Sequence, residues 1–409
     1  MLSLVLICLL AINKTALGLS VPDYESMWIP MRSGDSEQAR VTVKHGLGET
    51  PLLVDVQVKA MHEPNKDFIF TGIGGRPRDD DESEPFGGVI YYYNNEKIVA
   101  SAPIKNSKLG RDGFAIYTEN GTYFSGRNSQ EEDHVHVRFR AWRAGSLPTP
   151  DMNKTAVPVR ARSADPSELY VTTAHGLDAY PALVLVRAKL IDGQMPGYMA
   201  DSVGASFVSY PDDNPDNEYF IHAFNDRNIR VWVSDTGLLA GGSDGYEIFP
   251  HCSSGMLEMY AWAASSLQPA ITAAMDLGPE VVDEQLEIPL TSGHVDSFTR
   301  AWVEAVDGPN VGYRFPGSGA MAYSATVLDP VCTYGGLTYA YTQEAVRFWR
   351  PTDVINGGLV CVASVFGNGR NAQRSVNGLA IVMVWTSVTH PEDTFQWADP
   401  EERCIRIQP

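Results

Sequence analysis

Basic side chains are scarce in this chain. Its 409 residues carry 31 Lys and Arg against 50 Asp and Glu, a net charge of −19. A surface this acidic repels phosphate backbones and anionic lipid, so nucleic acid and membrane insertion are not expected. Helix-favouring runs of Ala, Leu, Glu and Lys are equally rare, which argues against a helical bundle. Long apolar runs are missing after the first residues. Leu2–Ile12 is apolar but too short to span a bilayer, and small residues follow at Ala16 and Gly18. That stretch reads as a signal peptide over 1–18 and predicts a secreted, extracellular product.

Cysteine is also sparse, at 5 residues, with Cys8 inside the signal. Cys252, Cys332, Cys361 and Cys404 remain, an even number suited to two disulfides in an oxidising compartment. Three connectivities are open. Proximity within one repeat favours Cys332–Cys361 and leaves Cys252–Cys404. Asn120-Gly-Thr and Asn153-Lys-Thr are sequons for glycosylation of a secreted chain.

What the sequence has in abundance is short segments of Val, Ile, Tyr, Phe and Trp punctuated by Gly, Pro, Asn and Asp. That pattern predicts an all-β fold. One sixteen-residue stretch occurs three times without gaps: Phe86–Ser101, Asn217–Trp232 and Tyr334–Trp349. Each reads as a β-hairpin. An aromatic ends the first strand and an aliphatic begins the second across four turn residues: Tyr93 to Ile98, Phe224 to Ile229, Tyr341 to Val346. Tyr91 and Tyr93, His222 and Phe224, and Tyr339 and Tyr341 share a strand face.

Other landmarks recur around the hairpin. Upstream lie His45-Gly46 and His175-Gly176, with Ser-Gly at Ser292-Gly293 in the third copy. Downstream, each copy closes on an alternating strand bearing Trp142, Trp262 or Trp385, spaced 120 and 123 residues apart. That period is too long for a solenoid and has the size of whole small β domains. The expectation is three tandem antiparallel β-sandwich, jelly-roll-like modules at 39–148, 168–268 and 285–388. Loop-like linkers at 145–168 and 265–285 separate them, and a tail follows at 389–409. In the first closing strand, Val135, Val137, Phe139 and Ala141 read as core, and His136, Arg138 and Arg140 as solvent-facing.

No catalytic constellation emerges, and no enzyme is expected. Gly241–Gly245 matches G-x-S-x-G, but a strand rather than a helix follows it. His134 and His136 share a strand face without a third metal ligand. Two acidic loops precede the hairpins, with Asp79, Asp80 and Asp81 in one and Asp212, Asp213 and Asp216 in the other. Crowded carboxylates of this kind suit calcium. Trp232 and Trp349 share a repeat position that is Ser101 in the first copy, and Arg230 and Arg347 lie two residues before them. A volume change that large is hard to reconcile with pure core, so Trp and Arg together suggest a platform for stacking a sugar.

The run HGLG..P..V.V.V, the strand starting at Gly113–Ile116 and the closing VRFRAW (Val137–Trp142) resemble the H-type lectin family. The hairpin lies outside that pattern and is similar to repeated modules of secreted invertebrate proteins. The resemblance implies a six-stranded antiparallel sandwich, a tendency to homo-oligomerise as trimers, and carbohydrate binding on loops. It transfers no sugar-contacting residue. The expected protein is a secreted multivalent binder of glycans or glycoproteins. The alternative is a structural or adhesive matrix protein without a small ligand.

Overall fold

In the computed structural model the described residues are 18–34, 37–77, 84–104, 113–161, 170–193, 195–207, 219–239, 252–278, 281, 283–290, 297–323, 331–352, 356–366 and 372–388. Among them the regular structure is β-strand with short 3₁₀ turns and no α-helix. The all-β, largely antiparallel expectation therefore holds.

Each copy builds the same two-stranded centre. Leu53–Ala60 pairs with His134–Trp142, Leu183–Leu190 with Ser254–Trp262, and Phe298–Ala305 with Gly378–Trp385. The register is shared, because Trp142, Trp262 and Trp385 stand opposite Leu53, Leu183 and Phe298. All three indoles are fully buried. Each indole N–H donates to a backbone carbonyl, of Ser20, Pro148 and Leu267 respectively. The period-2 pattern thus buries one face of each closing strand.

The copies are not self-contained modules. The first hairpin, Ile90–Tyr93 with Lys97–Ser101, joins the sheet of the second copy, where Tyr93 pairs with Met199. The second hairpin, Phe220–Phe224 with Asn228–Val233, joins the sheet of the third copy through Phe224 and Arg314. The third hairpin, Thr338–Tyr341 with Ala345–Pro351, returns to the first sheet, with Ala340 opposite Phe70 and Tyr341 opposite Ile69. The opening strands Arg40–Lys44, Val171–Ala174 and Glu287–Pro289 travel with their hairpins. The result is a closed ring in which every large sheet combines two copies. Tandem separate sandwiches were expected because repeat length alone cannot show which copy a hairpin pairs with.

Two further expectations change. The stretches read as linkers carry edge strands, Met152–Arg160 and Ile271–Asp276, paired to the closing strands of the second and third copies. Pro158 is tolerated there because an edge strand has one side without ladder bonds. Arg140, read as solvent-facing, is fully buried.

Glycines mark where the ring closes on itself. Gly74, Gly204 and Gly319 occupy one repeat position. A Cβ on each would overlap the backbone carbonyl oxygen of Asp201, Pro316 and Thr71, which also share one repeat position. Each copy thus presses bare backbone against the next. Gly74→Ala or Gly204→Ala is expected to lower unfolding stability by about 1–3 kcal/mol. Gly145→Ala, whose added Cβ meets nothing within 4 Å, is the control. Thermal melts of the three variants read the difference.

Candidate functional site

The hairpin tips are positioned by their own turn chemistry. The side-chain oxygens of Asn94, Asn225 and Thr342 accept backbone N–H bonds from the residues two and three ahead. This is the local bonding that favours Asn and Thr in tight turns. The His-Gly landmark serves the same end. His45 and His175 accept the N–H of Leu47 and Leu177 at Nδ1, both at 3.2 Å. Nε2 then carries the proton and donates to the carbonyl of Asn94 or Asn225, both at 3.0 Å. The third copy keeps the equivalent backbone bond from Leu290 to Glu344 without a histidine. By strand register, Leu290 occupies the histidine's place.

A groove forms between the tip of the third hairpin and the Lys66–Ile69 segment of the first copy, with a volume of about 590 Å³. Lys66, Asp67, Gln343 and Glu344 line it and are exposed. Its floor is Arg347, whose guanidinium lies 3.9 Å from the centre of the Phe68 ring. Arg347 also bonds Glu287 at 2.5 Å and Asn65 at 3.0 Å. Arg230 makes the matching contact at the next junction, 4.1 Å over Tyr313, the repeat equivalent of Phe68. Arg230 and Arg347 are therefore ties between copies as well as groove residues.

The paired tryptophans lie inward of these arginines. Trp232 stacks on Phe315 at 5.7 Å and Trp349 on Phe70 at 5.6 Å. Both are 0% exposed, so neither indole offers a face to a sugar in solvent. The volume difference against Ser101 arises because neighbours compensate. A Cβ on Gly126 would overlap the Trp349 ring, so that glycine makes room for it.

A second site lies where the copies converge. A cavity of about 100 Å³ is lined by equivalent residues of all three copies, Tyr91, His222 and Tyr339 among them. That volume holds several water molecules. Tyr91 donates to Asp201 at 2.6 Å and Tyr339 to the carbonyl of Thr299 at 3.2 Å. His222 faces a different corner. Ser202 Oγ gives its one hydrogen to the Val186 carbonyl at 2.8 Å, so the 2.5 Å bond to His222 uses the Nδ1 proton. Nε2 is left as a buried lone pair without a protein partner. Burial lowers the His222 pKa to about 3.

Buried charge surrounds this cavity. Asp55 accepts from Arg140 at 2.7 Å and from Arg300 of the third copy at 2.9 Å. Burial pushes the Asp55 carboxyl up, but the two guanidinium charges outweigh it and hold it below the usual range. Burial raises the Asp201 carboxyl despite the hydroxyl of Tyr91. Arg187 bonds Glu258 at 2.7 Å and the Leu52 carbonyl of the first copy at 3.1 Å. None of this network was expected from the sequence. Arg140 read as an outward residue of its strand, and Asp55 stands opposite it in the register, where the neighbouring copy covers both.

The remaining expected sites are placed as follows. Cys332 and Cys361 form the expected disulfide, with Cα atoms 5.9 Å apart. Cys252 is a buried free thiol that donates to Asp192 at 2.8 Å. Cys404 lies outside the described residues. Asn120 and Asn153 are exposed, as glycosylation requires. Asp79, Asp80, Asp81, Asp212, Asp213 and Asp216, and the Gly241–Gly245 motif, lie outside the described residues. Among the described residues no group of three or more His, Cys, Asp or Glu is arranged to hold a metal ion. No described helix is long and apolar enough to cross a membrane. Comparison with protein-family models, curated proteins and solved structures finds no match.

Two outcomes test the buried network. Unfolded, an imidazole takes its proton near pH 6.5, whereas folded His222 resists it until about pH 3. Between these values the unfolded state binds more protons, so stability falls as pH falls, by up to about 1.4 kcal/mol per pH unit. Denaturant titrations of His222→Phe are expected to flatten that part of the curve. Asp55→Asn leaves two buried guanidinium groups without their counter-charge and is expected to cost about 3–5 kcal/mol, read by urea unfolding.

Proposed function

We propose that this protein is a secreted, non-enzymatic, lectin-like binder of glycans or glycoproteins, with its sites at the junctions between copies. The groove beneath the third hairpin supports this reading best. Its volume of about 590 Å³ falls in the range of small-ligand sites. Lys66, Asp67, Gln343 and Glu344 supply donors and acceptors for sugar hydroxyls. Phe68 and Arg347 supply a flat floor. Related junctions recur round the ring, so weak sites would be linked within one chain, and linked sites gain avidity without new contacts. Calcium would enter through the acidic loops that precede the first two hairpins.

Glycan-array binding with and without EDTA tests the reading. Saturable binding competed by free sugar is expected. Lys66→Ala and Gln343→Ala are each expected to weaken it about tenfold, the effect of losing one well-placed contact. Loss in EDTA would assign calcium a part. No saturable binding across a broad array would sink the carbohydrate reading and favour a structural or adhesive role.

A further inference from the structure

The first sheet has an outer face that differs from its counterparts. Away from the core, Leu53–Ala60 presents Asp55, Gln57 and Lys59, and His134–Trp142 presents His134, His136, Arg138 and Arg140. At one end the third copy covers this face, so Asp55, Gln57 and Arg140 are buried. The other end is open. There Lys59 stands opposite His136, and Arg32 opposite His134.

Trp28 lies across this open end. It immediately precedes the strand Ile29–Arg32, next to the register pair Ile29 and Val137. Lys59 Nζ is 4.5 Å from the centre of its ring and the Arg138 guanidinium 4.7 Å. Both cations rise from the same sheet face, and the indole is only half-buried, so part of the ring meets solvent. Adjacent Met27 is 84% exposed. Every other described tryptophan is buried, including Trp302 and the five already named. Nearby acids are engaged: Glu25 with Arg138 at 3.2 Å, and Asp133 with Ser33 at 2.8 Å.

The scaffold does not need these residues. In the third copy the position opposite the closing strand is Ala274, facing Ile381 where the first copy has Arg138. In the second copy it falls in the bulge between Lys154 and Val157, which holds Thr155 and Ala156. His136 is replaced by Met256 and Leu379, and Lys59 by Lys189 and Glu304. The same sheet forms three times, and only once does it carry an open indole beside a basic row. Packing therefore does not account for the cluster.

We propose that Trp28, with Lys59, His136 and Arg32, forms a binding site for an anionic saccharide, a pyranose bearing a carboxylate or sulfate. The sugar ring stacks on the open indole face and its acid group meets the basic row. The row spans about 10 Å across three strands, the width of a short oligosaccharide segment. A long stiff polyanion is disfavoured, because the chain as a whole carries −19. The proposal extends the saccharide reading to a second site and one chemical class, and uses none of the groove residues.

The test is calorimetric titration of the full chain with a uronic-acid tetrasaccharide and with a neutral tetrasaccharide of the same linkage. The acidic ligand is expected to bind more tightly and to weaken as salt rises. Trp28→Ala and Lys59→Glu install residues that other copies already carry, so both should fold, as thermal melts will check. Each is expected to weaken acidic-ligand binding about tenfold or more. Lys189→Glu, the same change at the equivalent position of the second copy, should leave it unchanged. If Trp28→Ala alone lowers the melting temperature, Lys59→Glu decides. Absence of binding by the wild type, wild-type affinity in the decisive variant, or equal affinity for the neutral ligand would each overturn the proposal. A chain that fails on neutral glycans yet binds the acidic one through Trp28 loses the groove reading and keeps this one.

Discussion

The structure depends on one exchange: each copy gives its hairpin to the next copy's sheet. The last exchange is the most demanding, because Tyr341 must find Ile69 across most of the chain. Non-local pairing of this kind pays loop-closure entropy before it gains hydrogen bonds. Once made, it removes an open sheet edge from every copy, and open edges invite pairing with other chains. It also explains why no copy carries a complete core. Phe70 belongs to the first copy and packs on Trp349 of the third, and Trp232 of the second packs on Phe315 of the third.

The exchange governs the electrostatics as well. Asp55 would be an ordinary surface carboxylate on an isolated sandwich. In the ring it lies between Arg140 of its own sheet and Arg300 of another copy. Such a buried cluster is weak evidence for added stability, since desolvation offsets much of the attraction. Its geometric effect is clearer, because it is satisfied only when the first and third copies adopt one arrangement. Ring symmetry is broken at His222, where two copies place tyrosine and the third corner offers Pro316 in place of Asp201 or Thr71. The orphaned Nε2 follows from that mismatch.

Repetition also separates scaffold from specialisation. Positions filled alike in all copies, such as Trp142, Trp262 and Trp385, are fully buried and register-bound. Positions that differ need a closer look. Trp349 against Ser101 is a packing difference, absorbed by Gly126. Trp28 against Ala274 is a surface difference. The two look alike in the sequence, and burial alone tells them apart.

The sequence by itself determined the strands, the hairpin turn and the alternation of the closing strand, and it favoured the Cys332–Cys361 bond among three open connectivities. All are local, set by period-2 patterning, turn residues and short separations. The hairpin register is one such case, with Tyr93, Phe224 and Tyr341 facing Ile98, Ile229 and Val346. Only the tertiary structure decided which copy each hairpin joins, why Gly74, Gly204 and Gly319 must lack a side chain, and which polar residues are buried. The physical reason is that a strand's pattern records which face is covered but not by what. When the cover comes from another copy of the same unit, sequence spacing is silent about the partner.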